Sequence, residues 1–517
     1  MNHTQNYLEQ QEAKRLQNRI SSFQEDFKIG TLLGGSGIRK LRGAKPLAVF
    51  ATIFSLPFSG INFSQGIVNN RDLAFGKDAA YEFLKNPRYN WRKFLLGLVT
   101  VVVRFMDVLT SEQCEKVLII DDSTYDRSRS KVVELLAWVH DHNANRSLKG
   151  FKLMTLGWSD GVSFLPLDFI LCSASEASKR LQGIRKELDK RCCGYKRRVE
   201  AMAKSTEHLE SMVKRVLALG IRADYLLMDS WFAFPALLAT LGKHLPVICM
   251  GKDMPKVFYR HQGQWLRLSR LFAKLQKRRG KARILASVVV ETKKDQKVKI
   301  VFVRHRHKRQ WLAVLSTKVD LADEEIVRIY GKRWDIEVFF KMMKHYLNLE
   351  RETQLRDFDG IIGHITIVMS RYVFLAFEQR CHDDPRTLGS LFYACSEEQQ
   401  DLSLVGAMQR LLSLALEKVR AAGVIAEDAV LAIVDAVMGF AVDMLQTGKR
   451  LAQIKNLTTE QLREIFMGTV KNWKEVGGPD EKIVVLSRDS SSGTHVYFKE
   501  HILRKGNEKG PEEYSKE

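Results

Sequence analysis

No two cysteines in this 517-residue sequence are spaced as CxxC, and their total of seven is odd. Both facts argue against a disulfide framework, and the missing spacing argues against a zinc site built on paired thiols. Cys192 and Cys193 are adjacent but have no second pair or nearby histidines to complete a ligand set. Long apolar runs are also missing. The two most apolar stretches, "PLAVFATIFSLPF" and "FLLGLVTVVV", stop well short of the ~20 residues that a spanning helix needs. The opening "MNHTQNYLEQQEAKRLQ" has no apolar core behind a basic head, so a reduced, cytoplasmic protein with no membrane partner is expected. Acidic residues are the scarcest class relative to their counterpart: 60 Asp and Glu face 82 Lys and Arg, a net charge of +22. A field of that sign favours a polyanionic partner, with nucleic acid ahead of an acidic membrane surface.

The chain is long enough for several domains with ample core, and its pattern changes along its length. Residues 1–110 show helical periodicity with basic punctuation and are expected to form a helical DNA-binding region. "KVLIIDDST" is a short aliphatic run that ends in acids, the pattern of a buried strand. "FKLMTLGWSDGVSFLPLDFIL" gives two strand-like runs about a turn at Ser159, Asp160 and Gly161. A basic helical segment follows, then "ADYLLMDSWF", a second apolar strand ending on an acid, Asp229. Residues 111–243 therefore read as the first part of an α/β catalytic core, and 244–318 as a β-rich basic insertion. Residues 319–360 bring a return to the core, 361–450 are helical and apolar, and 451–517 change character again. No internal repeat is found.

The segment "YGKRWDIEVFFKMMKHYLNLE" carries the most information. As one helix it would bring Tyr330, Arg333, Glu337 and Lys344 within an arc of roughly 60°. Ile336, Phe339, Phe340 and Met343 would dock its other side on a core, and Trp334 reads as a core residue. Two strands thus end on carboxylates, at Asp122 (or its neighbour Asp121) and at Asp229, and a later helix offers Glu337. Phosphoryl transfer needs such a set. Carboxylate oxygens suit Mg²⁺, and two ions about 3.5–4 Å apart activate a nucleophile and stabilise a leaving oxygen. The strand, hairpin, helix, strand order before Glu337 fits a ribonuclease-H-like sheet with the acids at one edge.

The spacing Y-x2-R-x3-E-x6-K formed by Tyr330, Arg333, Glu337 and Lys344 resembles the signature of IS4-type DDE transposases of bacterial insertion sequences. "IIDDST" and "LLMDSWF" look like the two aspartate blocks of that family, and the resemblance covers roughly residues 30–440. It implies that Asp122, which directly precedes Ser123, joins Asp229 and Glu337 as catalytic, metal-binding triad. It implies two Mg²⁺ ions, with Mn²⁺ as a substitute, and double-stranded DNA as partner, both element ends and target. It also implies contacts from Tyr330, Arg333 and Lys344 to the DNA backbone, a homodimer that brings two ends together, and a nucleoid-associated location. The physics of the side chains agrees: arginine clamps a phosphate with two donors, lysine supplies a point charge, and tyrosine a hydroxyl. The basic runs "KLQKRRGKAR" and "RHRHKRQW", the latter ending on Trp311, are expected to add DNA contacts. His140, His142, His305 and His307 are assigned no ligand role. A non-catalytic DNA-binding descendant of such an enzyme is the alternative, and the intact acid set argues against it.

The end of the chain carries a second resemblance. "LTTEQLREIFMGTVKNWKEVGGPD" and "VVLSRDSSSGTH" are similar to part of the periplasmic phosphate-binding proteins of uptake systems. There, an arginine and a Ser-Gly-Thr at a helix start would cradle phosphate, and here these positions are Arg488, Ser492, Gly493 and Thr494. Ser490 stands where an acid is usual, and only about 65 residues of such a protein are represented. A partial lobe of a two-lobed trap is expected to be a fused fragment. An uptake component is therefore the more remote reading.

Overall fold

The computed structural model describes residues 19–399, apart from 40–42, 71–72, 142–144, 186, 279–281, 306–309, 382–386 and 398, together with 458–476 and 482–483. Two compact units are distinguished: residues 17–399, and a second that comprises 1–16 and 400–517.

The first unit is a mixed α/β structure built on one sheet. "VLII" opens β1 (Val117–Asp126), whose first four residues are fully buried. β2 (Ala137–Asp141) and β3 (Arg146–Ser159) form an antiparallel pair, and β3 in turn pairs antiparallel with β1 and with β4 (Phe164–Cys172). The β3–β4 turn falls where the sequence places it. Asp160 Oδ1 accepts from the N–H groups of Val162 (2.9 Å) and Ser163 (2.7 Å), and Gly161 takes φ 91°, a region that side chains resist. β5 (Tyr225–Met228) then lies parallel to β1, and β6 (Val247–Gly251) parallel to β5.

The boundary expected at residue 244 differs from the structure. β6 is an inner strand of the same sheet, and the rest of the proposed insertion extends it. β7 (Tyr259–His261) and β8 (Gln264–Leu266) form a small hairpin at the far edge. β9 (Ile284–Thr292), β10 (Lys297–Arg304) and β11 (Trp311–Ser316) follow, with β11 antiparallel to β6. The sheet order is β2-β3-β1-β5-β6-β11-β10-β9-β7-β8, with β4 branching from β3. Its β-rich segment is thus continuous with the core by backbone hydrogen bonds. Trp311, expected near DNA, is half-buried in an aromatic cluster with Phe272 and Phe302, at ring centroid distances of 4.9 and 5.2 Å. Residues 306–309 of the adjacent basic run lie outside the described residues.

Helices cover the sheet. Asn90 caps the helix Trp91–Val108 by accepting from Lys93 N (3.0 Å), and that helix packs on β4. The helix Phe358–Cys381 is 24 residues long and apolar enough to cross a bilayer, a length that the two quoted apolar runs did not reveal. Its most apolar window is completely buried against the helices Trp91–Val108, Lys77–Lys85 and Pro46–Ser55 and against β4. Its hydrophobicity is therefore matched by core packing. In the second unit, Thr458 and Gln461 form a capping box at the start of the helix Thr459–Phe466, and Ile465 and Ile483 are buried.

Buried ion pairs lock the helical layer. Arg371 is fully buried, bonds both oxygens of Glu352 at 2.6 and 2.7 Å, and donates to the carbonyls of Ile53 and Phe54. Burial alone would raise the Glu352 carboxyl, but Arg371 and His364 hold it down at about 2. Glu352→Gln would leave the guanidinium buried without its counter-charge. We expect the variant to lose about 3–5 kcal/mol of stability in denaturant melts of the full chain. A loss below about 1 kcal/mol would show that the pair is not a determinant of the fold.

Candidate active site

Register decides what meets at the sheet edge. β1 and β5 pair in parallel from Val117 beside Tyr225 to Ile120 beside Met228. Each strand runs directly into an acid, Asp121 after Ile120 and Asp229 after Met228. Neighbours at one level of a parallel pair project to the same face, so Asp121 and Asp229 share a side and Asp122 takes the other. The side chains follow. Asp121 Oδ2 accepts from Arg333 Nη1 at 2.8 Å, and Arg333 Nη2 donates to Glu337. Asp122 Oδ1 instead accepts from Lys152 Nζ at 3.0 Å, on the face where β3 lies beside Cys172. Asp122, expected to join Asp229 and Glu337, lines the same cleft as they do but is paired with Lys152. The acid held in that group is Asp121, because alternation puts only one of two consecutive strand residues there.

Electrostatics shows the strain of this arrangement. Burial pushes the Asp121 carboxyl up to about 7, and Asp229 and Asp122 add to the rise, against the pull of Arg333. Burial works against the charge of Arg333 too, but Tyr330, Asp121, Glu337 and Asp229 outweigh it and raise its pKa above the ordinary value. The Tyr330 hydroxyl is buried, has no hydrogen-bond partner among the described residues, and is raised by burial. The guanidinium of Arg333 lies 5.9 Å from the ring of Tyr330.

The expected single helix is broken. One helix ends at Gly331 and the next starts at Trp334, and the backbone between them tightens to i→i+3 hydrogen bonds at Lys332 and Arg333. Tyr330 therefore stands on the first helix, Arg333 at the junction, and Glu337 and Lys344 on the second. Ile336, Phe339, Phe340 and Met343 are buried as the pattern requires. Trp334, expected in the core, is 63% exposed, because it sits about 200° around the helix from Ile336. Of the three proposed DNA contacts, Arg333 and Lys344 have protein partners, and the Tyr330 hydroxyl is buried without one. Tyr330 is inward, Arg333 bridges acids, and Lys344 Nζ donates to the Thr124 carbonyl at 2.5 Å and pairs with Glu350 at 3.4 Å.

Arg333 and Lys344 border one cleft of about 630 Å³, which holds Asp121, Asp122, Asp229 and Glu337. Its wall also includes Lys152, Lys252, Lys341 and the half-exposed Trp231, none of which stands out in the sequence. Only the position of Lys341, four residues after Glu337, offered a signal. Among the described residues, no three carboxyl, imidazole or thiol groups are gathered as a ligand set. The donors nonetheless suit a hard divalent cation in kind. All are carboxylates in a single cleft, Asp229 and Asp122 add to the rise that burial imposes on Asp121, and a cationic group already bridges Asp121 and Glu337.

The pattern of the DDE superfamily endonucleases matches residues 65–310, the segment with both strand-end acids, and that of the archaeal putative transposase ISC1217 matches 285–378, the segment with Glu337. A PBP superfamily domain matches 426–516. Among curated proteins, the phosphate-binding protein PstS of Borreliella burgdorferi is 49% identical over 53 residues, 10% of this chain and 19% of that protein. PstS of Bacillus subtilis is 44% identical over 52 residues, 10% of this chain and 17% of that protein. The chain thus spans under a fifth of the length of these relatives, and Arg488, Ser490, Ser492, Gly493 and Thr494 lie outside the described residues. Over the segments that build its acidic cleft, the chain is similar to DDE endonucleases and transposases.

Proposed function

We propose that this chain is a transposase of the IS4-type DDE class, which cuts DNA at the ends of its own element and joins the freed 3′ hydroxyls to target DNA. The observation that carries the proposal is the shared level of Asp121 and Asp229 in the parallel β1–β5 pair, with Glu337 tied to Asp121 through Arg333. The strand arrangement β4-β3-β1-β5-β6, antiparallel on one side of β1 and parallel on the other, supports a ribonuclease-H-like core. The excess of positive charge supports double-stranded DNA as partner, and two DNA ends to be joined call for two protomers.

In this reading Asp121, Asp229 and Glu337 hold Mg²⁺ or Mn²⁺. Bound divalent ions would polarise the scissile phosphate and acidify the attacking hydroxyl of water or of a 3′ end. The chain's own groups prepare that site. Arg333 fixes the side chains of Asp121 and Glu337, and Lys152 holds Asp122 apart from them. Exposed Trp231 walls the cleft beside Asp229.

Nicking of supercoiled DNA in the presence of Mg²⁺ tests the assignment. Asp121→Asn is expected to be as inactive as Glu337→Gln, whereas Asp122→Asn should keep activity within about 10–100-fold of the parent chain, the range for residues that orient ligands. If Asp122→Asn is dead and Asp121→Asn cuts, the acid is misassigned; if the parent chain never cuts, the catalytic reading fails.

A second measurement follows from charge. Unfolded, the Asp121 carboxyl ionises near 3.8; folded, it holds its proton to about 7. Between those values the folded state binds more protons, so this group's contribution to stability falls as pH rises through the window. In EDTA, Asp121→Asn should therefore raise the melting temperature relative to the parent chain more at pH 8 than at pH 5. An equal shift at both values would mean that Asp121 is not held in a strained, charge-crowded position.

A further inference from the structure

The cations of the cleft divide into two groups. Arg333 is bound to Asp121 and Glu337, Lys152 to Asp122, and Lys344 to the Thr124 carbonyl and Glu350. Lys252 and Lys341 are exposed, border the same cleft, and make no side-chain hydrogen bond or ion pair among the described residues. They come from different elements of the fold. Lys341 lies four residues after Glu337 and so projects from the same side of that helix. Lys252 directly follows β6, whose Cys249 is level with Met228, the residue before Asp229.

Lys341 is also shared ground. It lines two neighbouring depressions, one with His345, Asn348 and Tyr393, the other with Asp335 and Tyr346. A path that leaves the acids over Lys341 therefore continues along the surface. The cleft is lined with carboxylates, yet the ammonium groups of Lys252 and Lys341 bond to none of them. A ligand that satisfies both ammonium groups has to carry negative charge at intervals, as a sugar-phosphate backbone does.

We propose that Lys252 and Lys341 form the phosphate-backbone contact of the cleft, gripping the substrate strand beside the acids, while Arg333 serves the acids as their internal counter-charge. The proposal rests on the reading that the cleft takes DNA. It changes which residues hold that DNA: side chains outside the Y-x2-R-x3-E-x6-K spacing, in place of its arginine.

The test is the salt dependence of duplex binding by the full chain in EDTA, followed by fluorescence anisotropy on a labelled duplex between 50 and 200 mM KCl. Removing one lysine–phosphate pairing lowers the log–log slope by about 0.9. The double variant Lys252→Gln, Lys341→Gln should flatten the slope by about 1.8, so that the parent chain loses about tenfold more affinity than the variant across that range. Both lysines are exposed, so the double variant should melt with the parent chain. Arg333→Gln should leave the slope unchanged. An unchanged slope in the double variant overturns the proposal, and so does an Arg333→Gln slope that falls by as much. If Arg333→Gln does not fold, the slope of the double variant decides alone. A slope that flattens as expected in a chain that never nicks DNA would keep this DNA grip and sink the catalytic reading. Nicking by the parent chain with no change of slope would do the reverse.

Discussion

Four paired residues of β1 and β5 set the position of everything that could react. Val117 to Ile120 run level with Tyr225 to Met228, and the acids are simply the next residue on each strand. A shift of one residue in that pairing would turn one carboxylate to the opposite face. The aliphatic side chains therefore do more than fill the core. They are buried on both faces, and the register of their backbone pairing selects which carboxylates are neighbours.

The same constraint creates the strain that Arg333 relieves. Burial is the main cause of the lifted Asp121 carboxyl, and repulsion from Asp229 and Asp122 adds to it. The guanidinium at the break between two helices reaches both a strand-end acid and Glu337. Helix break and ion pairs thus belong to one arrangement, in which the turn at Lys332 and Arg333 places a fixed donor fork where the charge is densest.

Much of this was legible in the sequence. The strands around Asp121 and Asp229 and the hairpin at Gly161 announce themselves through aliphatic runs and turn residues, and so does the buried face of Ile336, Phe339, Phe340 and Met343. What was not legible depends on register or on partners distant in sequence. "VLII" has no alternation, so periodicity could not choose between Asp121 and Asp122; the pairing with β5 does. The membership of β6 in the core sheet required knowing that Leu226 lies beside Val247. Trp334 was misjudged because composition counts a tryptophan as core, whereas helical geometry turns it outward. Lys341 carried no motif, and its exposure beside the acids appears only when the cleft is assembled.

Chain order gives the long helix Phe358–Cys381 a further consequence. Of its 24 residues, one window is apolar enough, by length and composition, to cross a bilayer. Every described strand of the sheet precedes it, and so do the helices Pro46–Ser55, Lys77–Lys85 and Trp91–Val108 that receive it. As the chain leaves the ribosome N-terminus first, the surface that will hide this helix has already been synthesised when the helix emerges. The order of synthesis thus acts as a safeguard: the most insertion-prone stretch of the unit is made after its shelter.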